Sequence, residues 1–439
     1  MKLLIVDPDG LALDLAWRAR QYKHDVKMVI RDTPKSKFIG KGIVDVIRDA
    51  GPYYRWADLI FLADNSRWLR EIDGLRAGGS ERIIGPTKEL ADWELDRQVG
   101  QDILKNHGIP IIPSVTFNNY DKAIEFVKKN PRRWVSKPNG DADKALSYCS
   151  TSAADMVYML EKWKKLGKRY EFLLQEFIPG IEMGVGGWFG PSGWVGGWEE
   201  DFEFKKLMDG DKGVATGEQG TVLRYVSRSK LANKVLVPLT DTLLMKKYVG
   251  DINVNCIIDD RGEVWPLEFT VRPGWPAYNI QQELHEGDPV EWLAMLAKGD
   301  EPVTLKEKIA IGVCLTIPDY PYSHLTRKEV VGAPIYGLDG RGILQHTHFC
   351  EVMQGEAPCQ EEEVGIITKP CFVTAGDYVL VMSATGDTVY QAKQTAYRRL
   401  KQISLPNSPM YRTDIGDRLA KQLPKLQEHG FATGMSFSD

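Results

Sequence analysis

The sequence has few of the features that indicate a secreted, membrane-spanning or nucleic-acid-binding protein. Its six cysteines are scattered through 439 residues without a Cys-x-x-Cys pair, which is typical of reduced thiols in a cytoplasmic protein. No apolar run approaches the roughly 20 residues that span a bilayer, and the first apolar run is too short for a signal peptide. The net charge of -4 provides no overall basic surface for nucleic acid. We therefore expect a cytoplasmic protein.

Several catalytic motifs are also missing. There is no GxxxxGK[ST] phosphate loop, no serine nucleophile elbow and no HExxH zinc motif. His346, His348 and Cys350 alternate, so on a strand they would share one face and zinc ligation is conceivable. No fourth ligand is evident, and an ordinary strand with polar residues is the favoured interpretation.

Alternating elements at the start of the chain indicate a parallel α/β unit. Short apolar runs predict strands over 2–6, 25–30 and 57–64, and helical spacing predicts a helix over 11–24. Strands and helices in quick alternation are typical of a parallel sheet with crossover helices. We predict that this unit forms a first domain over residues 1–86.

The remaining chain predicts two further domains, over 87–300 and 301–439. After about residue 300 the pattern is rich in strands and is of α+β type. The elements predicted along the way are a helix-rich stretch (88–107), strand–loop–strand (132–148), a helix (152–167), a strand (170–178), glycine-rich hairpins (180–200), a polar glycine-rich loop (209–221), a helix (229–248), a hairpin (252–271) and a helix (388–403).

A carboxylate inside an apolar strand is the most informative single residue. Alternation over 263–271 places Glu268 and Thr270 on the face opposite the core. A tight turn centred on Asp260 and Arg261 would bring Asn253 opposite Glu268, with Asn255 on the same face, although a one-residue slip would reverse the face. Such an oxygen-rich patch suits Mg²⁺ or Mn²⁺. The alternative is a polar sheet face that meets only solvent.

A series of motifs is spread along nearly the whole chain, and in their order they resemble one family. In order they are GPTKELADWELDR (85–97), VSKP (135–138), LLQEFIPGIE (173–182), FKKLMDGDKGVATGEQGT (204–221), VWPLEFTVRPG (264–274), GDYVLVMSATGDTV (376–389) and YRTDIGDR (411–418). The order resembles the glycinamide ribonucleotide synthetase (phosphoribosylamine–glycine ligase) family of the ATP-grasp superfamily, of which this chain looks like a divergent member.

The resemblance implies both a fold and a reaction. The implied fold is an α/β and α+β protein with a Rossmann-like pre-ATP-grasp domain, an ATP-grasp domain whose nucleotide-binding subdomain covers about 110–182, and a carboxy-terminal α+β domain. The family uses ATP, with Mg²⁺ or Mn²⁺, to join an amino acid such as glycine to an amine through an acyl phosphate in purine biosynthesis. The resemblance also implies a monomer or homodimer that acts on small molecules and has no nucleic-acid or membrane partner.

The matched positions imply roles for individual residues. Glu268 resembles the metal-binding glutamate, with Thr270 or Asn255 as the second ligand, and Arg272 and Lys206 resemble catalytic contacts to substrate or phosphate. Arg412, in the closing motif, would face substrate or serve domain packing. The residues implied to bind the nucleotide are Arg97, Lys137, Lys144, Gln175, Glu176, Phe177, Ile178, Glu182 and Lys205.

The departures from the family pattern lie mainly on the amine side. Thr270 stands where the family has asparagine, and the first loop carries Asp7, Asp9 and Asp14 where the family binds a ribose phosphate. Because like charges repel, we expect an altered and possibly cationic amine drawn by these aspartates. The alternative is a catalytically inactive homologue that binds nucleotide or serves a structural role.

Overall fold

The computed structural model begins with a five-stranded parallel sheet, as the alternating pattern predicts. The model describes residues 1–65, 67–80, 82–138, 147–168, 171–300, 305–322, 328–361, 364–406 and 408–438. The sheet order is β3-β2-β1-β4-β5, and buried Leu3, Ile5 and Phe61 form its centre. Its elements are β1 (Lys2–Val6), α1 (Leu13–Gln21), β2 (Asp25–Val29), β3 (Asp45–Ile47), β4 (Leu59–Leu62), α2 (Leu69–Ala77) and β5 (Ile83–Ile84).

A small four-stranded antiparallel sheet follows and has its own hydrophobic core. The strands are in the order β6-β9-β7-β8, and two helices cover one face with Leu160 and Trp163. Side chains of Asn119 and Ser152 cap these helices, as expected for residues that accept a bond from the first turn. The elements are α3 (Lys88–Leu95), α4 (Arg97–Asn106), β6 (Ser114–Phe117), α5 (Tyr120–Lys129), β7 (Trp134–Pro138), β8 (Tyr148–Cys149), α6 (Ala153–Lys165) and β9 (Phe172–Glu176).

The largest element is an eight-stranded antiparallel sheet that runs across residue 300. Its order is β16-β15-β10-β11-β14-β17-β21-β18, and Leu223 of β14 lies opposite Ala310 of β17. Its strands are β10 (Ile181–Gly190), β11 (Gly193–Glu203), β14 (Gly220–Val226), β15 (Gly250–Ile258), β16 (Val264–Thr270), β17 (Ile309–Thr316), β18 (Thr347–Phe349) and β21 (Tyr378–Gly386). The strands after residue 300 therefore extend the sheet that the preceding strands form. The predicted domain boundary at residue 300 stays a prediction.

Two hairpins and six helices complete the described structure. The hairpins are β12 (Lys206–Met208) with β13 (Lys212–Ala215), and β19 (Val352–Glu361) with β20 (Gly365–Thr374). The helices are α7 (Lys230–Val235), α8 (Thr240–Met245), α9 (Ala277–Gln281), α10 (Pro289–Lys298), α11 (Val389–Leu400) and α12 (Leu419–Glu428). None of the helices that the structure describes is long and apolar enough to cross a lipid bilayer.

Two elements differ from the sequence predictions for identifiable reasons. The single helix predicted over 229–248 is divided into α7 and α8 by a 3₁₀ turn at Val237–Leu239, because Pro238 has no N–H for helical hydrogen bonding. The polar loop predicted over 209–221 partly folds into the β12–β13 hairpin. Both differences are local, and neither involves a strand of the eight-stranded sheet.

The candidate zinc residues instead join the first and last parts of the chain. His348 is fully buried, with Nδ1 2.7 Å from Asp14 Oδ2 and Nε2 2.8 Å from Ser383 Oγ. His346 Nδ1 lies 2.9 Å from the Glu283 carboxylate. Burial acts against a charged ring, and so does the positive charge of Arg18. The contacts with Asp14 and Glu283 outweigh both effects, so the pKa of His348 lies above its ordinary value.

Replacing His348 should therefore change stability in a pH-dependent way. A raised pKa means that the stabilising contribution is complete below the ordinary value of 6.5 and is lost as pH rises through the raised value. The difference in free energy of unfolding between the wild type and His348→Gln should shrink as pH rises from about 6.5 to the raised pKa, by at most about 1.4 kcal/mol per pH unit, and should then level off. Urea denaturation between about pH 6 and pH 9 measures it.

His107→Gln provides the matched control, because that ring contacts the Ile103 carbonyl and the Thr242 hydroxyl rather than a carboxylate. A His348→Gln difference that stays constant across this range would contradict the assigned charge of the buried ring.

Candidate active site

One face of the large sheet is polar around β10, where glycines leave room for the side chains of the two neighbouring strands. Gly184 of β10 lies between Asp201 of β11 and Asn255 of β15, and Gly186 lies between Glu199 and Asn253. A methyl group at Gly184 would lie 2.3 Å from Asp201 Oδ1. The side chains that share this face are Glu182, Glu199, Asp201, Glu203, Asp251, Asn253, Asn255, Glu268 and Thr270.

The strand register confirms the predicted face but not the predicted partner. Asn255, rather than Asn253, lies opposite Glu268, and Asn253 lies opposite Thr270. The turn is longer than expected because the Asp259 carboxylate accepts hydrogen bonds from two backbone N–H groups of the loop. A bulge after Asn255 also shifts the pairing. The two-residue displacement preserves the face because side chains alternate with a period of two.

Glu268 lies among cations, which explains how a carboxylate is retained in this strand. Arg97 Nη1 lies 2.9 Å from Glu268 Oε2, and Lys205 Nζ lies 3.5 Å from Oε1. Burial acts against ionisation, but Lys205, Arg97 and Lys137 outweigh it and hold the pKa of Glu268 well below its ordinary value. The carboxylate is therefore ionised at neutral pH.

Lys205 is the centre of this charge network. Its ammonium group lies 2.8 Å from Glu203 and 3.0 Å from Glu182, in addition to its contact with Glu268. Burial opposes the charge, but the three carboxylates keep the pKa of Lys205 well above its ordinary value. By contrast, burial lowers the pKa of Lys137 to about 8, with Arg97 and Lys205 adding to that effect.

The residues present fit a magnesium ion bound together with phosphate oxygens. The buried amide oxygen of Asn255 has no hydrogen-bond partner among the described residues, while its amide nitrogen donates to Glu182 at 2.7 Å and to Glu203 at 2.9 Å. One carboxylate, one amide oxygen and the Thr270 hydroxyl form a hard-oxygen set, and Mg²⁺ commonly completes such a set with waters and phosphates. Within the described ranges, no group of three or more His, Cys, Asp or Glu side chains is placed to hold a metal ion by itself.

The predicted adenine hinge links the small sheet to the large one. Gln175 is buried, and the Glu176 carboxylate lies 2.8 Å from Arg132. The N–H groups of Glu176 and Phe177 donate to the carbonyls of Pro113 and Arg133, so neither is available to a base. Ile178 lies three residues before the start of β10 at Ile181 and four before Glu182. Lys144 lies within 139–146, outside the described residues.

The two predicted catalytic residues lie on different elements: Arg272 follows β16, and Lys206 begins β12. Arg272 Nη2 lies 3.0 Å from Glu94, whose other carboxylate oxygen accepts from the backbone N–H of Val271. Lys206 begins the β12–β13 hairpin, and its carbonyl accepts a hydrogen bond from Arg412. Arg412 is buried and pairs with Asp211 and Asp414, so it serves packing of the closing segment against this hairpin.

The three aspartates of the first loop all have partners within the fold. Asp7 accepts hydrogen bonds from the backbone N–H groups of residues 9, 10 and 12, and Asp14 pairs with Arg18 and His348. Asp9 pairs with Arg31. Asp7 and Asp14 are buried and bonded within the fold, whereas Asp9 is exposed in a surface ion pair. That the three residues attract a cationic amine therefore stays a prediction.

A second set of carboxylates, not identified from the sequence, adjoins the Lys205 network: three lie on the same sheet face, and Glu218 lies in the loop before β14. We call it the acidic floor and define it as Glu199, Asp201, Glu218 and Asp251. Burial, reinforced by mutual repulsion, raises the pKa of Asp201 to about 8 and those of Glu199 and Glu218 well above their ordinary values. The alternation of acids in EEDFE (199–203) is the signal that could have found it, since residues two apart on a strand share a face.

The glycine at the centre of the face should be essential for its geometry. Gly184→Ala would force Asp201 to move, and we expect it to destabilise the protein by about 1–3 kcal/mol, as for overpacked sites. Gly74→Ala is the control because no atom lies within 4 Å of the added methyl group, and in helix α2 it should be neutral or slightly stabilising. Urea denaturation of both variants tests this, and equal stabilities would contradict the close approach of Asp201.

Comparison with known proteins supports the family suggested by the motifs. The chain is 26% identical to the phosphoribosylamine–glycine ligase of Neisseria meningitidis serogroup A, over 95% of this chain and 99% of that protein. The crystal structure of phosphoribosylamine–glycine ligase from Thermotoga maritima matches with a TM-score of 0.70 and 20% identity, over 94% of this chain and all of that one. No family model matches the chain.

A more distant structure shows the same fold with nucleotide bound. The biotin carboxylase domain of Hydrogenobacter thermophilus 2-oxoglutarate carboxylase, solved with MgADP, ADP and bicarbonate, matches with a TM-score of 0.61 and 11% identity, over 98% of this chain and 96% of that chain. These comparisons agree with the predicted enzyme class, a C–N bond-forming ligase, and with ATP and Mg²⁺ as cofactors. They confirm the predicted resemblance: the chain has the ATP-grasp fold and is similar to phosphoribosylamine–glycine ligases along nearly its whole length.

Proposed function

We propose that the protein is an ATP-dependent carboxylate–amine ligase with an altered amine substrate. The observation that carries the proposal is the convergence of Arg97, Lys137 and Lys205 on Glu268, on the polar face of the large sheet. Fixed cations neutralise polyphosphate, and a carboxylate with an unpartnered amide oxygen beside it suits a divalent ion. A bound magnesium ion would supply further charge neutralisation for the phosphates.

In the proposed reaction, an oxygen of the carboxylate substrate bonds to the γ-phosphorus of ATP as the bond to the bridging oxygen breaks, which releases ADP. The amine nitrogen then bonds to the acyl carbon while the C–O bond to phosphate breaks. The nitrogen loses a proton to the departing phosphate, and the amide and phosphate leave. Lys137 and Lys205 act by positioning and neutralising phosphate oxygens, since such a reaction depends mainly on placement and charge. ATP and small amino acids are cytoplasmic metabolites, in keeping with the location expected from the cysteines.

A catalytically inactive homologue is the second candidate. Two observations favour it: Thr270 stands at the second ligand position, and Glu268 is already paired with Arg97 and Lys205. A ligase requires that phosphate and metal replace these ion pairs. ATP binding without ADP release, across a matrix of amino acids and amines, would support the inactive homologue.

Replacing the central carboxylate should abolish turnover without abolishing the fold. We expect Glu268→Gln to lower acid- and amine-dependent ADP formation by about 10²-fold or more, the range seen when one preorganised electrostatic group is lost. The assay is ADP release at saturating Mg²⁺, with calorimetric ATP binding measured in parallel. Glu263→Gln, an exposed carboxylate on the same hairpin, should retain full activity. Unchanged turnover in Glu268→Gln would show that the carboxylate has no part in the reaction.

A further inference from the structure

A large cavity lies at the amino-terminal edge of the parallel sheet, away from the candidate active site. Asp58 and Arg82, the residues immediately before β4 and β5, line it. The first loop follows the carboxyl end of β1, and because β1, β4 and β5 are parallel, that loop lies at the opposite edge of the sheet. The cavity has a volume of about 1200 Å³, whereas ligand pockets usually have about 300–1,000 Å³, so it has room for a small organic molecule.

One wall of the cavity is apolar and can be reached from solvent. Leu244, Val249 and Ala297 line the cavity and are exposed or half-buried, so their apolar atoms are accessible to a ligand. A methyl group added at Gly79, which also lines the cavity, would meet no described atom within 4 Å. Lys247 lines it too and is exposed. A ligand can therefore approach this wall without displacing a buried side chain.

Basic side chains outnumber acidic ones around the cavity. The described basic residues that line it are Arg76, Arg82, Lys247 and Lys298, and Asp58 is the one acidic residue among the described residues that do so. Arg76 pairs with Asp73, but the other three basic groups form no ion pair with a carboxylate in the described part of the chain. Because the protein as a whole has a net charge of -4, this positive group is a local feature of the cavity.

The unpaired basic groups come from three different elements. Arg82 precedes β5, Lys247 follows α8 and Lys298 ends α10. A lysine at the end of a helix is stabilised by the helix dipole, but Arg82 precedes a strand, and its one side-chain hydrogen bond within the described structure goes to the Tyr54 carbonyl. Ser80 also lines the cavity, and its hydroxyl is buried without a hydrogen-bond partner among the described residues. Cationic side chains with a hydroxyl donor are suited to phosphate oxygens.

We propose that this cavity is a second ligand site, which binds a small organic phosphate. The positive group of Arg82, Lys247 and Lys298 attracts the phosphate, and the organic part packs against the apolar wall. Inorganic phosphate alone would leave that wall without contacts, and a neutral apolar molecule would leave the basic groups without a partner. The site goes beyond the proposed reaction and does not depend on it, since no residue of the Lys205 network is among the described residues that line the cavity.

Direct binding tests the class of ligand. Isothermal titration calorimetry of the full chain, at fixed ionic strength and with saturating MgADP to occupy the ATP cleft, would compare 1-naphthyl phosphate, 1-naphthol and inorganic phosphate. We expect 1-naphthyl phosphate to bind at least about ten-fold more tightly than either of the others. An equal affinity for inorganic phosphate or for 1-naphthol would overturn the proposal. Binding that MgADP abolishes would place 1-naphthyl phosphate in the ATP cleft and would also overturn it.

Variants locate the site and have a matched control. Lys247→Gln combined with Lys298→Gln should weaken binding of 1-naphthyl phosphate by about ten-fold or more. Lys128→Gln combined with Lys162→Gln should not, because these exposed lysines lie on the helices that cover the small sheet. Ala297→Phe fills part of the cavity without a change in charge, and we expect it to weaken binding by a similar factor.

Stability and activity measurements make these outcomes decisive. Lys247 and Lys298 are both exposed, so we expect the two lysine double variants to have the same melting temperature. Unchanged affinity in Lys247→Gln/Lys298→Gln and in Ala297→Phe would remove the cavity as the site, and an equal loss in the control would show that net charge alone attracts the probe. Binding of 1-naphthyl phosphate without acid- and amine-dependent ADP release would leave this site and contradict the ligase.

Discussion

The contact on which the cleft depends is the ion pairing of Lys205 with three carboxylates from three different strands. Glu203, Glu182 and Glu268 come from β11, β10 and β16, so one ammonium group holds together the polar face of the sheet. Arg97 and Lys137 bring in α4 and the small sheet by approaching the same Glu268. Each charge is balanced within the cluster, which allows ionised groups to remain in a partly buried position.

The closing segment of the chain depends on the same part of the molecule. Arg412 and Arg418 both pair with Asp211 of the β12–β13 hairpin, and the Arg418 guanidinium packs 4.0 Å from the Phe204 ring. Phe204 immediately precedes Lys205 in the chain. The carboxy-terminal residues therefore fix the hairpin beside the charged face, and this coupling explains why the family resemblance extends to YRTDIGDR.

The sequence was sufficient to predict features that depend on alternation and on local motifs. The parallel sheet, the polar face of β16 and the grouping of Glu268 with Asn255 all follow from which residues share a face. The features that it could not predict depend on tertiary pairing. Asp7 carries the same charge whether it binds a ligand or caps a loop, and only the backbone around it shows that its oxygens are occupied. In the same way, the local sequence around Glu199 and Asp201 indicates only a hairpin. The pairing of β10 with β11 and β15 places Gly186 between Glu199 and Asn253, and Gly184 between Asp201 and Asn255.

The two ends of the cleft differ in how the charges of their side chains are balanced. Around Lys205 cations and carboxylates match, so an arriving phosphate exchanges one set of ion pairs for another. On the acidic floor the hydrogen bonds to Glu199 and Asp201 come from the neutral amides of Gln281 and Asn253, and burial with repulsion raises the pKa values of both carboxyl groups. Burying such carboxyl groups costs stability, because desolvation and repulsion both act against their charged form. The matched charges around Lys205 carry no such repulsion, so the two ends of the cleft contribute differently to the stability of the fold.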